Sequence, residues 1–118
     1  MDHTPQKPDV AYDVFTSVDL RSGTIVKAEE FPRAKKPAYK VWVDFGPEIG
    51  VLQTSAQVTA HYTPESLVGQ RVMGCINLGE KNIAGFITQF LLVGFSDENG
   101  HILLASVDPR TPNGQKLH

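Results

Sequence analysis

The heptapeptide YKVWVDF, residues 39–45, alternates so regularly that a half-buried strand is the conformation it fits. Tyr39, Val41, Val43 and Phe45 fall on one face and Lys40, Trp42 and Asp44 on the other, the period of two that a strand imposes. Gly46, Pro47 and Gly50 then bracket a reversal into a second strand over Ile49–Gln53. This second strand runs into a polar cluster, Thr54, Ser55 and Gln57, where the sheet is expected to stop. A β scaffold that presents amides and hydroxyls at a strand end is suited to holding a ligand.

The remaining segments extend the β reading. Leu20–Glu30 predicts a long strand interrupted by Gly23, a position for the bend or bulge that a small barrel needs. Gln70–Leu78, Phe86–Phe95 and Ile102–Val107 are further strand candidates, separated by GEKNIAG and the turn-forming SDENGH. Short helices are expected at Tyr12–Asp19, at Ala56–Tyr62 with Thr54 or Ser55 as cap, and from Pro64 with Thr63 as cap. Five or six strands, with helical content between the third and fourth, predict an all-β, five-stranded Greek-key barrel of the OB type. The same periodicity also permits an SH3-like barrel or a sandwich. Pro109 and Pro112 exclude the tail from any central strand.

Composition bounds the function. At 118 residues the chain suffices for one core, and no run approaches the roughly 20 apolar residues of a membrane span. No membrane insertion and a cytoplasmic location are therefore expected; the single Cys75 fits a reducing compartment. Residues 1–11, with Pro5 and Pro8, read as an arm. A net charge of −2 argues against a dedicated polyanion binder, although Arg21, Lys27, Arg33, Lys35, Lys36 and Lys40 are opposed only by Glu29 and Glu30. That run is either a solvated face or an electrostatic lip beside a binding surface.

Catalytic and metal chemistry find little support. His3, His61, His101 and His118 are scattered, with no pair at metal-ligand spacing, so no metal and no cofactor are expected. Cys75 lies in the apolar RVMGCINL and reads as a core thiol. Ser55 lacks a nucleophile elbow and the glycines form no phosphate loop, so the chain is expected not to be an enzyme. In NLGEKNIAGFITQF, the polar Asn77, Lys81 and Asn82 surround Ile83 and Phe86. The apolar pair either plugs the barrel end or anchors a peptide groove with a polar rim.

The blocks VDLRSGTIVKAEEFPRAKKPAYKVWVDFG, EIG, SAQVT, NLGEKNIAGF and PNGQK, in that order, resemble CsaA, a bacterial export-associated chaperone family within the tRNA-binding-domain superfamily. The likeness runs from about Phe15 to Lys116, dividing the chain into an arm, 1–14, and a domain, 15–118. It implies an OB-fold homodimer binding extended segments of unfolded or preprotein chains without ATP, with the export machinery as a further partner. The peptide would lie near Ser55, Gln57, Asn77, Lys81, Ile83, Phe86 and Thr88. Ile83 and Phe86 would give apolar contact, Asn77 and Gln57 would pair with peptide amides, and Lys81 would attract acidic or C-terminal groups. Segments flanking the barrel, including Phe15, Val18, Pro112, Asn113 and Gly114, would join the subunits. The alternative is structured-RNA binding, tRNA included, through Arg21, Lys36, Lys40 and Lys81. Against it, the tRNA-binding relatives carry two extra positive charges where this chain has Asn82 and Ala84, and phosphate affinity scales with such contacts.

Overall fold

The computed structural model describes residues 4–118; His3 and the first residues of the expected arm lie outside them. A five-residue helix, α1 (Tyr12–Thr16), precedes the long strand β1 (Leu20–Glu30), then β2 (Tyr39–Asp44) and β3 (Val51–Ala56). Helix α2 (Pro64–Leu67) leads into β4 (Arg71–Cys75), a small hairpin β5 (Lys81–Ile83) and β6 (Phe86–Thr88), and finally β7 (Leu91–Leu92), β8 (Gly94–Ser96) and β9 (Ile102–Leu104). The main sheet is antiparallel in the order β3-β2-β1-β4-β7. It nearly closes on itself where the Gln89 amide donates to the Gln53 carbonyl at 2.8 Å and Thr54 Oγ1 donates to the Phe90 carbonyl at 2.7 Å. The result is the expected all-β OB-type barrel, with α2 between its third and fourth strands.

Strand β1 serves two partners. Its first half, Leu20–Thr24, pairs with β4, and its second half pairs with β2. The register shifts between Ile25 and Lys27, which places the bulge at Val26 rather than at Gly23. Gly23 is required for space, because a β-carbon there would stand 2.5 Å from Val43 Cγ1 and 3.0 Å from the Phe45 ring.

Inside the barrel, Ile25, Val41, Val43, Phe45, Leu67 and Val72 are fully buried. Each such side chain contributes about 1.5–3 kcal/mol when removed from water. Phe45 meets Phe90 edge to face, centroids 5.0 Å apart. The tail docks back on the barrel: the Gly114 amide donates to the Ser22 carbonyl at 2.8 Å, and the Leu117 amide to that of Leu20 at 2.9 Å. The buried Ser22 hydroxyl donates to the Pro112 carbonyl at 2.8 Å.

Several expectations need correction. No helix forms over Ala56–Tyr62; Ala56 ends β3, Val58 is buried in the core, and residues 59–61 form a turn. The Tyr39 hydroxyl fixes this extended exit by donating to the Tyr62 carbonyl at 2.8 Å. Phe86–Phe95 is not one strand but three, because the chain changes partner from β5 to β4 to β9 within ten residues. Gln70–Leu78 shortens to Arg71–Cys75 and Ile102–Val107 to Ile102–Leu104, while Ile49–Gln53 shifts to Val51–Ala56, so that Thr54 and Ser55 lie within the strand and do not end it. Among the described residues, no helix is long and apolar enough to cross a membrane.

Candidate functional site

The hairpin β5–β6 sets the geometry of the surface. Ile83 pairs with Phe86 across a two-residue turn in which both Ala84 (φ 49°) and Gly85 (φ 87°) are left-handed. Such turns match the right-handed twist of the flanking strands. Asn82 Oδ1 accepts the Gly85 amide at 2.8 Å and holds the turn closed. Gln53 Nε2 donates to the Ile87 carbonyl at 2.8 Å, which ties the hairpin to β3.

Between this hairpin, the loop 31–38 and the ends of β3 and β7 lies a groove of about 860 Å³. Ser55 and Gln57 stand at the end of β3, and Ile83, Leu91 and Ile102 supply apolar wall. Arg33, Lys35 and Lys36 from the loop form a cationic side. Two polar groups, an apolar wall and a positive rim therefore face one concavity. Of the seven residues expected at a peptide site, Ser55, Gln57 and Ile83 converge here, joined by Lys36 from the set expected for RNA.

Phe86 faces a neighbouring patch. Its ring meets Phe31 edge-on at 5.6 Å and Trp42 at 5.8 Å between centroids. Lys40 Nζ lies 5.0 Å from the centroids of both Phe31 and Phe86, and Lys27 Nζ lies 4.6 Å from that of Trp42. The quadrupole of each ring attracts these ammonium groups. Trp42, on the more polar face of its strand, thus has a partner: it is one wall of a cation–aromatic cluster spanning β2, the loop and the hairpin.

Other expected residues lie elsewhere. Lys81 and Thr88 pair at the open end of the hairpin, where Thr88 Oγ1 donates to the Lys81 carbonyl at 2.9 Å. Asn77 is spent on the segment after α1: its Oδ1 accepts the Asp19 amide at 2.9 Å and its Nδ2 donates to the Ser17 carbonyl at 2.8 Å. Arg21 is held by Asp19, with Nε 2.6 Å from Oδ1, and donates to the Gly114 carbonyl at 3.0 Å. The hydrogen bond to Asp19 raises its pKa further. Phe15, within α1, and Val18, just after it, are exposed, whereas Asn113 and Gly114 are engaged by their own barrel and Pro112 remains exposed.

Sequence reasoning missed two features. Phe31, Leu91 and Ile102 line these surfaces although no local pattern marks them, and the chain reversal alone brings them together. The histidines are not all scattered: His61 and His101 stand with ring centroids 5.8 Å apart, and Asp97 lies between β8 and β9 beside them. Asp97 is pushed down to about 2, first by the hydrogen bond with His61 and then by the backbone amide of His101. Forty residues separate the two histidines in sequence, so spacing carried no signal.

Comparison with known proteins places this architecture. Residues 20–116 match the family described as "Putative tRNA binding domain". The crystal structure of chaperone CsaA from Bacillus anthracis superposes with a TM-score of 0.87 at 39% identity, covering 94% of this chain and 100% of that one. CsaA chaperone protein from Picrophilus torridus does so with a TM-score of 0.87 at 33% identity, covering 93% of this chain and 100% of that one. Methionine–tRNA ligase of Chlorobium chlorochromatii (strain CaD3) is 34% identical over 113 residues, 94% of this chain. The chain spans only 15% of that ligase's length. With its barrel and its sequence in agreement along nearly the whole described length, the chain belongs to the tRNA-binding-domain family, among its CsaA-type members.

Proposed function

We propose that this protein is a dimeric, ATP-independent chaperone of the cytoplasm that binds extended segments of unfolded or preprotein chains and delivers them toward export. The observation that carries the reading is the groove, where an apolar wall of Ile83, Leu91 and Ile102 faces the cations Arg33, Lys35 and Lys36. Such a surface takes apolar side chains on one side and acidic or C-terminal groups on the other, with Ser55 and Gln57 placed for backbone amides. Two solved relatives named as CsaA chaperones support it. In this reading the protein is a binding module, not an enzyme. Subunits would join through the exposed apolar residues around α1, where Tyr12, Val14, Phe15 and Val18 lack cover.

Fluorescence anisotropy of a labelled extended peptide tests the groove. Ile83→Ser is expected to weaken binding several-fold while leaving the barrel folded, and unchanged affinity would exclude this groove. Sedimentation tests the dimer: Phe15→Ser is expected to shift the mass toward the monomer.

A second reading, tRNA binding, draws on the cation–aromatic cluster of Lys27, Trp42, Lys40, Phe31 and Phe86. OB barrels stack bases on aromatics and hold phosphates with cations. Titrating tRNA at several salt concentrations separates the two, since phosphate binding weakens steeply as salt rises. A flat or absent response excludes RNA.

A further inference from the structure

Away from the groove wall, three side chains with metal-ligand chemistry converge. His61 belongs to the turn after β3, whereas Asp97 and His101 flank the turn that joins β8 to β9. His61 Nε2 lies 2.6 Å from Asp97 Oδ2, and one donor atom from each of the three residues lies within 4.8 Å of the others. We propose that His61, Asp97 and His101 form a binding site for a divalent transition-metal ion of the zinc, nickel and copper class.

The donor set selects that class. Imidazole nitrogen suits zinc, nickel and copper, while calcium and magnesium take predominantly oxygen ligands. Two imidazoles and one carboxylate satisfy three positions, leaving at least one for water or a further ligand.

Support around the ligands is already built. Asp97 Oδ1 accepts the backbone amides of Asn99 and His101, both at 2.9 Å. These bonds orient the carboxylate and leave Oδ2 directed toward His61, as outer-shell partners do for metal ligands. Metal–ligand bonds of about 2.0–2.2 Å place tetrahedral donors roughly 3.4 Å apart, so the His61–Asp97 contact need open by less than about 1 Å. His61 has 39% of its side chain exposed, which leaves the ring room to turn and the cation a path of entry. A bound ion would clamp the turn at residue 61 to the hairpin at residues 97–101.

The test uses the full chain, stripped with a chelator and dialysed. Co²⁺ absorption in the visible and Zn²⁺ calorimetry are expected to report one ion per chain, and melting temperature is expected to rise with Zn²⁺ and fall back with chelator. His61→Ala and His101→Ala should each weaken affinity at least tenfold, while His118→Ala should not. Asp97→Asn keeps the acceptor for the hairpin turn and should also weaken binding; if it disturbs the fold, the two histidine variants decide. Absence of a Co²⁺ spectrum together with absent Zn²⁺ heat at millimolar metal overturns the proposal. So does wild-type affinity in the His61→Ala, His101→Ala double variant.

Discussion

Gly23 lies so close to Val43 that a β-carbon on it would stand 2.5 Å from Val43 Cγ1. Val43 is fully buried and has little room to yield. Gly23→Ala is therefore expected to destabilise the barrel by about 1–3 kcal/mol, the usual range for overpacking a core. Urea unfolding measures it; an unchanged midpoint would mean that the wall relaxes freely at this point.

Arg71 knits the tail to the barrel. Its guanidinium donates to Thr24 Oγ1 at 2.6 Å, to Asn113 Oδ1 at 2.5 Å and to the Thr111 carbonyl. Arg71→Met removes all three and leaves their acceptors half-buried, an expected loss of about 2–4 kcal/mol. Hydrogen exchange localises the effect: the Gly114 and Leu117 amides should lose protection before those of β2.

Helix α2 is only four residues long and depends on its cap. Thr63 Oγ1 accepts the Ser66 amide at 3.1 Å while Ser66 Oγ accepts the Thr63 amide at 2.9 Å, a reciprocal capping box. Thr63→Ala should cost about 1 kcal/mol. Because the helix carries the fully buried Leu67, the loss should appear in global thermal unfolding and not as local fraying alone.

Phe86→Ala removes the ring shared by Phe31, Trp42 and Lys40. The ring is partly exposed, so the fold should survive. A base stacked on such a ring is worth about 1–3 kcal/mol, so in the tRNA reading affinity for tRNA should fall about tenfold or further. Trp42 fluorescence reads both binding and the altered cluster; a wild-type isotherm would remove Phe86 from the site.

The chain announces its barrel where one face is buried and the other is not. Tyr39–Asp44 alternates because Tyr39, Val41 and Val43 are interior while Lys40, Trp42 and Asp44 are not, and the Thr63–Pro64 cap is equally local. What stays hidden is whatever depends on a change of partner. Phe86–Phe95 looks uniform in sequence, yet it pairs with three different strands. Val58 overrides the helical pattern of Ala56–Tyr62 because the core takes its side chain. The groove was legible at Ser55, Gln57 and Ile83, although β3 runs on through Ser55 to Ala56 and Ile83 ends a strand that reads as loop in the sequence. Asn77 misleads for the opposite reason: its polarity serves backbone groups 58 and 60 residues away in sequence. His61 and Asp97 are likewise 36 residues apart.

The bulge at Val26 lets one strand be read in two phases. Before it, odd-numbered residues such as Gly23 and Ile25 point inward; after it, Val26 and Lys27 are both exposed and the even-numbered Ala28 packs against the core. In an unbroken strand Lys27 would share the inward phase of Ile25. One inserted residue thus resets the alternation by one position, and it is this phase change that sets Lys27 opposite Trp42. Deleting Val26 would leave Ile25 and Lys27 consecutive in a regular ladder and keep their facing, whereas flattening the bulge with Val26 retained would turn Lys27 inward and Ala28 outward.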